Sequence, residues 1–145
     1  MSYRKGIAAV VFREKKRKKE FLLLHRIQNW VGYEIPKGGK RAGETDDECL
    51  RRELFEELGT TKYFVVAKTD YFIRYKWPKS FIKDGKKYDG VENRLYVVEF
   101  TGKNVKIDKR EHDGYIWVDL KTAKKMLTYE DQRKALKYSL TFLKH

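Results

Sequence analysis

The spacing of hydrophobic and polar residues predicts several strands separated by helices. Two short apolar segments, Lys5–Phe12 and Glu20–Arg26, flank a strongly basic stretch and are typical of a β-hairpin. Three later segments are rich in β-branched and aromatic residues and predict further strands: Tyr63–Tyr75, Arg94–Phe100 and Tyr115–Val118. Residues 27–44, which separate the hairpin from the first helix, are expected to form a loop.

A helix is predicted after this loop from local signals alone. Thr45 is a good N-cap, and Glu48, three residues later, completes a capping box. Gly59 is the expected C-terminal stop. An apolar stripe with a four-residue repeat lets this helix dock on a core: Leu50, Leu54 and Leu58.

Two more helices are predicted towards the C-terminus. The first covers Leu120–Leu127, and the second begins at a cap provided by Thr128. The buried side of the second helix is expected to carry Leu136, Leu140 and Leu143. The expected fold is α/β, with a mixed sheet between helices, and residues 1–145 are expected to form one domain.

Composition and charge limit the classes of function. The chain of 145 residues has 34 Lys and Arg against 21 Asp and Glu, a formal net charge of +13. This balance favours a polyanionic partner. The apolar runs have the length of strands, and the N-terminus lacks a secretory pattern, so we expect a cytoplasmic protein without membrane spans. The lone cysteine, Cys49, is expected to be a packing residue.

Against this basic background, acidic residues gather around the first predicted helix: Glu44, Glu53, Glu56 and Glu57, with Arg52 among them. The last three glutamates occupy an arc about 100° wide beside the leucine stripe. Carboxylates this close repel one another, and a hard divalent cation would offset the repulsion. The alternative is an amphipathic surface helix whose acids pair with neighbouring arginines.

The spacing of this segment resembles the signature of a known family, the Nudix box. The match runs through Gly38, Glu44 and the segment Arg52–Gly59, and only Thr60 replaces the usual bulky aliphatic residue. The resemblance implies an α/β/α sandwich that hydrolyses nucleoside diphosphates linked to a further group, using Mg²⁺ or Mn²⁺. It also implies the metal ligands, which are Glu53, Glu56, Glu57 and a backbone carbonyl near Lys37 or Gly38. Glu44 and Arg52 would support these ligands.

Features outside the box resemble the asymmetrical diadenosine tetraphosphate (Ap4A) hydrolases. They include Ile35-Pro36-Lys37-Gly38 before the box and Arg110-Glu111-His112 before the predicted strand Tyr115–Val118. The resemblance implies that Glu111 reaches the metal site and that Tyr129 stacks on adenine. The segment Arg74–Pro78 resembles plant-type hydrolases and bacterial RNA pyrophosphohydrolases, although Val91–Arg94 departs from the Gln-rich start of the following strand in those proteins.

Two basic stretches are candidates for contacts with phosphate. Arg13–Lys19 is interpreted as a solvated hairpin turn, with a nucleic-acid contact as the alternative. Arg74–Lys87 interleaves bases with aromatic rings, which favours nucleotide binding, and the alternative is an exposed loop. Candidate substrate-binding residues are Lys37, Tyr75, Lys79, Lys83 and Tyr129.

These observations lead to three hypotheses about function. The first is Mg²⁺-dependent asymmetrical cleavage of Ap4A to ATP and AMP, with Glu53 in the catalytic metal site and Glu57 or Glu111 accepting the proton of the attacking water. The second is an RNA 5′-pyrophosphohydrolase. The third is a module of this fold that binds nucleotide or RNA without catalysis. No obligate protein partner is evident from the sequence.

Overall fold

The computed structural model describes residues 2–143, and a mixed seven-stranded sheet forms its centre. The strands are β1 (Tyr3–Lys15), β2 (Lys18–Arg26), β3 (Gly32–Glu34), β4 (Lys37–Gly39), β5 (Tyr63–Lys83), β6 (Lys86–Phe100) and β7 (His112–Val118). The helices are α1 (Asp46–Leu58), α2 (Leu120–Met126) and α3 (Glu130–Ser139), and a 3₁₀ turn follows at Leu140–Phe142. In this described part of the chain, no helix is long and apolar enough to cross a membrane.

The pairing of the strands fixes the segment that enters α1. The order is β3-β2-β1-β6-β5, with β4 paired to β1 and β7 paired to β2. Strands β1 and β6 are parallel, and all the other pairs are antiparallel. The hairpin of β1 and β2 is confirmed, but its register covers only the end near the turn, from Phe12↔Phe21 to Lys15↔Lys18. The opposite half of β1 pairs with β4, so the backbone just before α1 is held within the sheet.

Both faces of the sheet are covered, which confirms the expected α/β sandwich. Successive residues of β1 point to opposite faces, and each set belongs to a separate apolar core. On one face Ala8, Val10 and Phe12 share a core with Ala123, Ala135 and Leu136 of the C-terminal helices. On the other face Ile7, Ala9 and Val11 share a core with Leu50, Leu54 and Leu58 of α1.

Helix α1 forms as its local signals predict. The Thr45 side chain accepts a hydrogen bond from the Glu48 amide, and the Glu48 side chain accepts one from the Thr45 amide. Gly59 ends the helix in the left-handed conformation. Cys49 is fully buried, and burial raises the pKa of its thiol to about 12. A thiol in this state packs as a small apolar group and is a poor nucleophile.

The basic stretch Arg74–Lys87 is not a loop, contrary to the alternative expectation. Strands β5 and β6 form one long antiparallel hairpin whose register reaches Lys83↔Lys86. Asp84 and Gly85 turn this hairpin, both with positive φ, as a two-residue β-turn of this kind requires. We call residues 76–88 the basic arm.

Two local expectations near the C-terminus and before α1 were wrong. Thr128 does not cap α3, because its hydroxyl accepts a hydrogen bond from the Tyr33 amide at 3.0 Å. Tyr129 occupies the cap position and provides no capping hydrogen bond. Residues 27–44 are also not simply a loop, since β3 and β4 lie within them. Tyr129 lines the same cleft as Glu53 and Glu57 in the second half of α1.

Candidate active site

A cleft of about 1370 Å³ lies between α1, β4 and the basic arm. Of the residues that the sequence singled out, the following line it: Lys37, Gly38, Arg52, Glu53, Glu56, Glu57, Tyr75, Lys79, Lys83, Glu111 and Tyr129. Glu44 does not line the cleft but contacts it through Arg52. The basic turn at residues 15–19 lies outside the cleft. The structure therefore brings distant parts of the sequence to one concave surface.

Arg52 organises the acidic end of this cleft. Its guanidinium donates to both carboxylate oxygens of Glu44, at 2.6 and 2.9 Å. It also donates to Glu53 at 2.8 Å, to Glu56 at 3.3 Å and to the carbonyl of Gly39 at 2.9 Å. The hydrogen bond from Arg52 lowers the pKa of Glu44 to about 2. The Arg52 side chain thus links the loop that precedes α1, strand β4 and the acidic face of α1.

Gly38 allows Glu53 to lie directly against β4. A Cβ atom added at Gly38 would lie 2.0 Å from the carboxyl carbon of Glu53 and 2.2 and 2.4 Å from its oxygens. No side chain fits there without displacing that carboxylate. Only glycine therefore lets the backbone approach the acidic group this closely.

Glu57 is a buried carboxylate of the cleft and lies close to other negative charges. Burial raises the pKa of Glu57 well above its usual value, and the negative charges of Glu53, Glu34 and Glu111 add to the rise. One of its oxygens, Oε2, is buried and has no hydrogen-bond partner. Such an orphaned carboxylate oxygen beside further carboxylates fits a hard divalent cation, which would supply the missing positive charge.

The fit to a cation rests on Glu53 and Glu57 rather than on a complete set of ligands. Within residues 2–143, no three His, Cys, Asp or Glu side chains are arranged as a metal site. Glu56 is engaged by Arg41 at 3.2 Å and by Arg52 at 3.3 Å, so it would have to leave these partners to bind a metal. The carbonyl of Gly38 lies 3.8 Å from the Cys49 sulfur.

Glu111 reaches the cleft from the turn that precedes β7. Its side chain is exposed, and its carbonyl accepts a hydrogen bond from the Ile27 amide at 2.9 Å. Within the described residues its carboxylate makes no hydrogen bond or ion pair. It is close enough to Glu57 to raise the pKa of that group. Glu111 is therefore an unengaged carboxylate at the rim of the acidic end.

Lys37 provides a buried positive charge between the acidic end and the arm. Its ammonium lies 3.6 Å from Oε1 of Glu34 and donates to the Tyr75 hydroxyl at 3.3 Å. Burial lowers the pKa of Lys37, but the charge of Glu34 together with the charge and hydrogen bond of Tyr75 outweighs burial and raises the pKa above its usual value. Lys37 is thus charged at neutral pH and can contact a phosphate that enters the cleft.

Two pairs of aromatic rings line the cleft. Trp30 and Tyr129 meet edge to face with centroids 4.9 Å apart. Trp77 and Phe81 of the basic arm meet in the same way at 4.6 Å, close in sequence to Lys79. Rings that are partly exposed beside lysines can stack on bases while the lysines contact phosphates.

Several residues of this region could not be selected from the sequence. Glu34 is only 1% exposed and accepts hydrogen bonds from Arg26 at 3.0 Å and from His112 at 2.7 Å. Gln132 accepts from the amide of Ile35 at 2.8 Å and so ties α3 to the segment after β3. The one available signal was an acid, Glu34, directly before the apolar start of the Ile35-Pro36-Lys37-Gly38 segment.

Comparison with known proteins identifies the family. The NUDIX domain matches residues 2–138 of this chain. An RNA pyrophosphohydrolase of a Nitratiruptor species is 32% identical over 111 residues, which are 75% of this chain and 72% of that protein. An RNA pyrophosphohydrolase of Helicobacter pylori is 29% identical over 135 residues, which are 90% of this chain and 87% of that protein.

Solved structures agree on the fold. A Caenorhabditis elegans Ap4A hydrolase in a binary complex superposes with a TM-score of 0.72 and 23% identity, over 96% of each chain. At this identity the likeness concerns the fold alone. The matched domain and the related sequences support a pyrophosphohydrolase of a family whose members generally use divalent metal ions. The chain belongs to the Nudix hydrolase family.

Proposed function

We propose that this chain is an RNA 5′-pyrophosphohydrolase, which removes pyrophosphate from the triphosphorylated 5′ end of an RNA. The observation that carries the proposal is the continuity of the cleft, in which the acidic end at Glu53 and Glu57 leads directly to the basic arm. A free nucleotide would need only the acidic end, whereas an RNA chain extends beyond it. The related proteins named RNA pyrophosphohydrolase support the same choice.

The charge of the molecule favours a long polyanion. The net charge is +13, and the arm alone contributes Lys76, Lys79, Lys83, Lys86 and Lys87. Lysines that contact successive phosphates release counterions and provide affinity that depends on salt but not on sequence. Trp77 and Phe81 lie among these lysines and would stack on the first unpaired bases.

In the proposed reaction, the oxygen of a water forms a bond to one phosphorus of the triphosphate while an anhydride P–O bond breaks, and pyrophosphate leaves. A bound Mg²⁺ or Mn²⁺ supplies charge neutralisation and a more acidic water. Glu53 and Glu57 would hold this ion, and Glu56 would join them if Arg41 and Arg52 released it. Glu111, whose carboxylate is unengaged, accepts the water proton. Lys37 holds a phosphate oxygen, with Tyr75 orienting its ammonium.

Asymmetrical hydrolysis of Ap4A to ATP and AMP is a second candidate, and one observation favours it. The cleft carries aromatic pairs in two places, Trp30 with Tyr129 and Trp77 with Phe81. Two such pairs would receive the two adenines of one dinucleotide.

Matched substrates test the proposal. The protein is incubated with Mg²⁺ and, separately, with a short single-stranded RNA bearing a 5′-triphosphate, with Ap4A and with GTP. We expect the highest kcat/KM for the RNA, with pyrophosphate and a 5′-monophosphorylated RNA as products. With RNA as substrate, replacing Lys79 and Lys83 with Gln should make the dependence of log kcat/KM on log salt less steep, by about one unit of slope per lysine. A higher kcat/KM for Ap4A, with ATP and AMP as products, would replace the proposal by the second candidate.

A further inference from the structure

A buried polar group formed by Glu34, His112 and Arg26 adjoins the acidic end of the cleft. Its centre is the carboxylate of Glu34 on β3, which is 1% exposed. Oε2 of Glu34 contacts Nε2 of His112 at 2.7 Å and accepts from Arg26 at 3.0 Å. His112 itself is 2% exposed. The other oxygen, Oε1, has no hydrogen-bond partner and lies 3.6 Å from the ammonium of Lys37, so losing His112 would leave the buried carboxylate with still fewer partners, which is costly.

The charge of Glu34 determines which atom carries the proton. Burial opposes ionisation, but the His112 hydrogen bond and the charges of Lys37 and Arg26 lower the pKa of Glu34 below its usual value. An ionised carboxylate can only accept, so Nε2 of His112 carries a proton and donates it to Glu34. The imidazole is therefore held in one orientation by a charge-assisted hydrogen bond.

This anchored histidine directly follows Glu111 in the chain. The register changes from His25↔Gly114 to Arg26↔His112, so Asp113 is an extra residue that forms a β-bulge in β7. Bulges redirect side chains and are frequent beside active sites. On the other side of the bulge, the carbonyl of Glu111 accepts from the Ile27 amide at 2.9 Å. Glu111 thus lies on a turn that is fixed by its own carbonyl and by the side chain of the next residue.

We propose that His112, clamped by Glu34, is a positioning residue that fixes the carboxylate of Glu111 over the acidic end of the cleft. His112 is buried and does not line the cleft, so it acts through its neighbour rather than by touching substrate. The proposal rests on the proposed role of Glu111 as the base.

A double-mutant cycle tests this role. The variants are His112→Phe, which keeps a ring but removes the donor, Glu111→Gln, and the two combined. We expect His112→Phe to lower kcat by roughly 10²-fold, the effect of misplacing a catalytic group by about 1 Å, with little change in KM. In the Glu111→Gln background the same substitution should cause no further loss, because residues that act as one unit are not additive.

Two companion variants separate positioning from folding. His112→Gln keeps an N–H near the position of Nε2 and should retain most of the activity lost in His112→Phe. His25→Asn removes the other histidine–carboxylate pair between β2 and β7, to Asp113 at 2.6 Å, and should leave kcat unchanged. If His112→Phe fails to fold, His112→Leu replaces it in the cycle, because leucine also fills a buried site and has no N–H to donate to Glu34.

A second readout needs neither metal nor substrate. Amide hydrogen exchange at Ile27 reports the bond to the Glu111 carbonyl, and we expect exchange at Ile27 to become faster in metal-free His112→Phe but not in His25→Asn. The cycle is measured on whichever nucleotide substrate is turned over, so a failure of RNA as substrate leaves it interpretable. Additive losses in the cycle, or unchanged exchange at Ile27, would overturn the positioning role.

Discussion

Replacing Gly38 with alanine should inactivate the enzyme by moving one carboxylate. The added Cβ would lie 2.0 Å from the carboxyl carbon of Glu53, while ordinary contact begins at 3.4 Å, so the carboxylate has to move by 3.4 − 2.0 = 1.4 Å. This shift breaks the 2.8 Å hydrogen bond from Arg52 and displaces the Glu53 carboxylate from its position against β4. A misplacement of about 1 Å costs roughly 10²-fold in rate, so we expect kcat to fall by about 10²-fold or more.

Steady-state kinetics at saturating Mg²⁺ and the melting temperature of the metal-free protein are the assays for Gly38→Ala. The atom that blocks the new methyl group belongs to the far end of a side chain, and the fold should therefore survive. Gly114→Ala is the matched control, since an added Cβ there meets nothing within 4 Å. If Gly38→Ala keeps the turnover of Gly114→Ala, then the close approach of Glu53 to β4 is not required for catalysis.

Three further predictions concern stability, base stacking and charge. Because Arg52 lowers the pKa of Glu44 to about 2 in the folded protein, the Glu44–Arg52 pair stabilises the fold above pH 4.5, and this stabilisation is lost as the pH falls through about 2. Glu44→Gln should therefore lower the melting temperature at pH 7 and match wild type near pH 2. Tyr129→Ala should weaken substrate binding by about 1–3 kcal/mol in a titration, and chromatography should show unchanged products. The basic turn lies outside the cleft, so kcat/KM on Ap4A should stay unchanged when all its basic side chains are replaced by neutral ones: Lys15, Lys16, Arg17, Lys18 and Lys19.

Features encoded by neighbouring residues could be predicted from the sequence. The cap at Thr45, its partner Glu48 and the stop at Gly59 all act within one helix, and each forms as expected. The hairpin of β1 and β2 is equally local. The location of the acidic end followed from the same helix, because the spacing of Glu53 and Glu57 places them on one side of it.

Features that depend on pairing between distant residues could not be predicted. Glu34 and His112 are 78 positions apart, and neither signals the other in the sequence. Thr128 was expected to cap a helix, but its hydroxyl accepts a hydrogen bond from the amide of Tyr33 instead. The basic arm contains Pro78 and many lysines, which have low strand propensity, so its hairpin depends on cross-strand pairing that local propensity does not reveal.

The most direct test of the account compares two glutamates of the same helix. Glu57→Gln replaces the buried carboxyl group beside Glu53 with a neutral amide, whereas Glu48→Gln changes a capping residue and leaves a side-chain oxygen that can still accept from the Thr45 amide. The measurement is the hydrolysis rate of a nucleoside polyphosphate at saturating Mg²⁺. We predict that Glu57→Gln loses about 10²–10⁴-fold, while Glu48→Gln stays close to wild type. Near-normal turnover by Glu57→Gln would contradict the assignment of the active site.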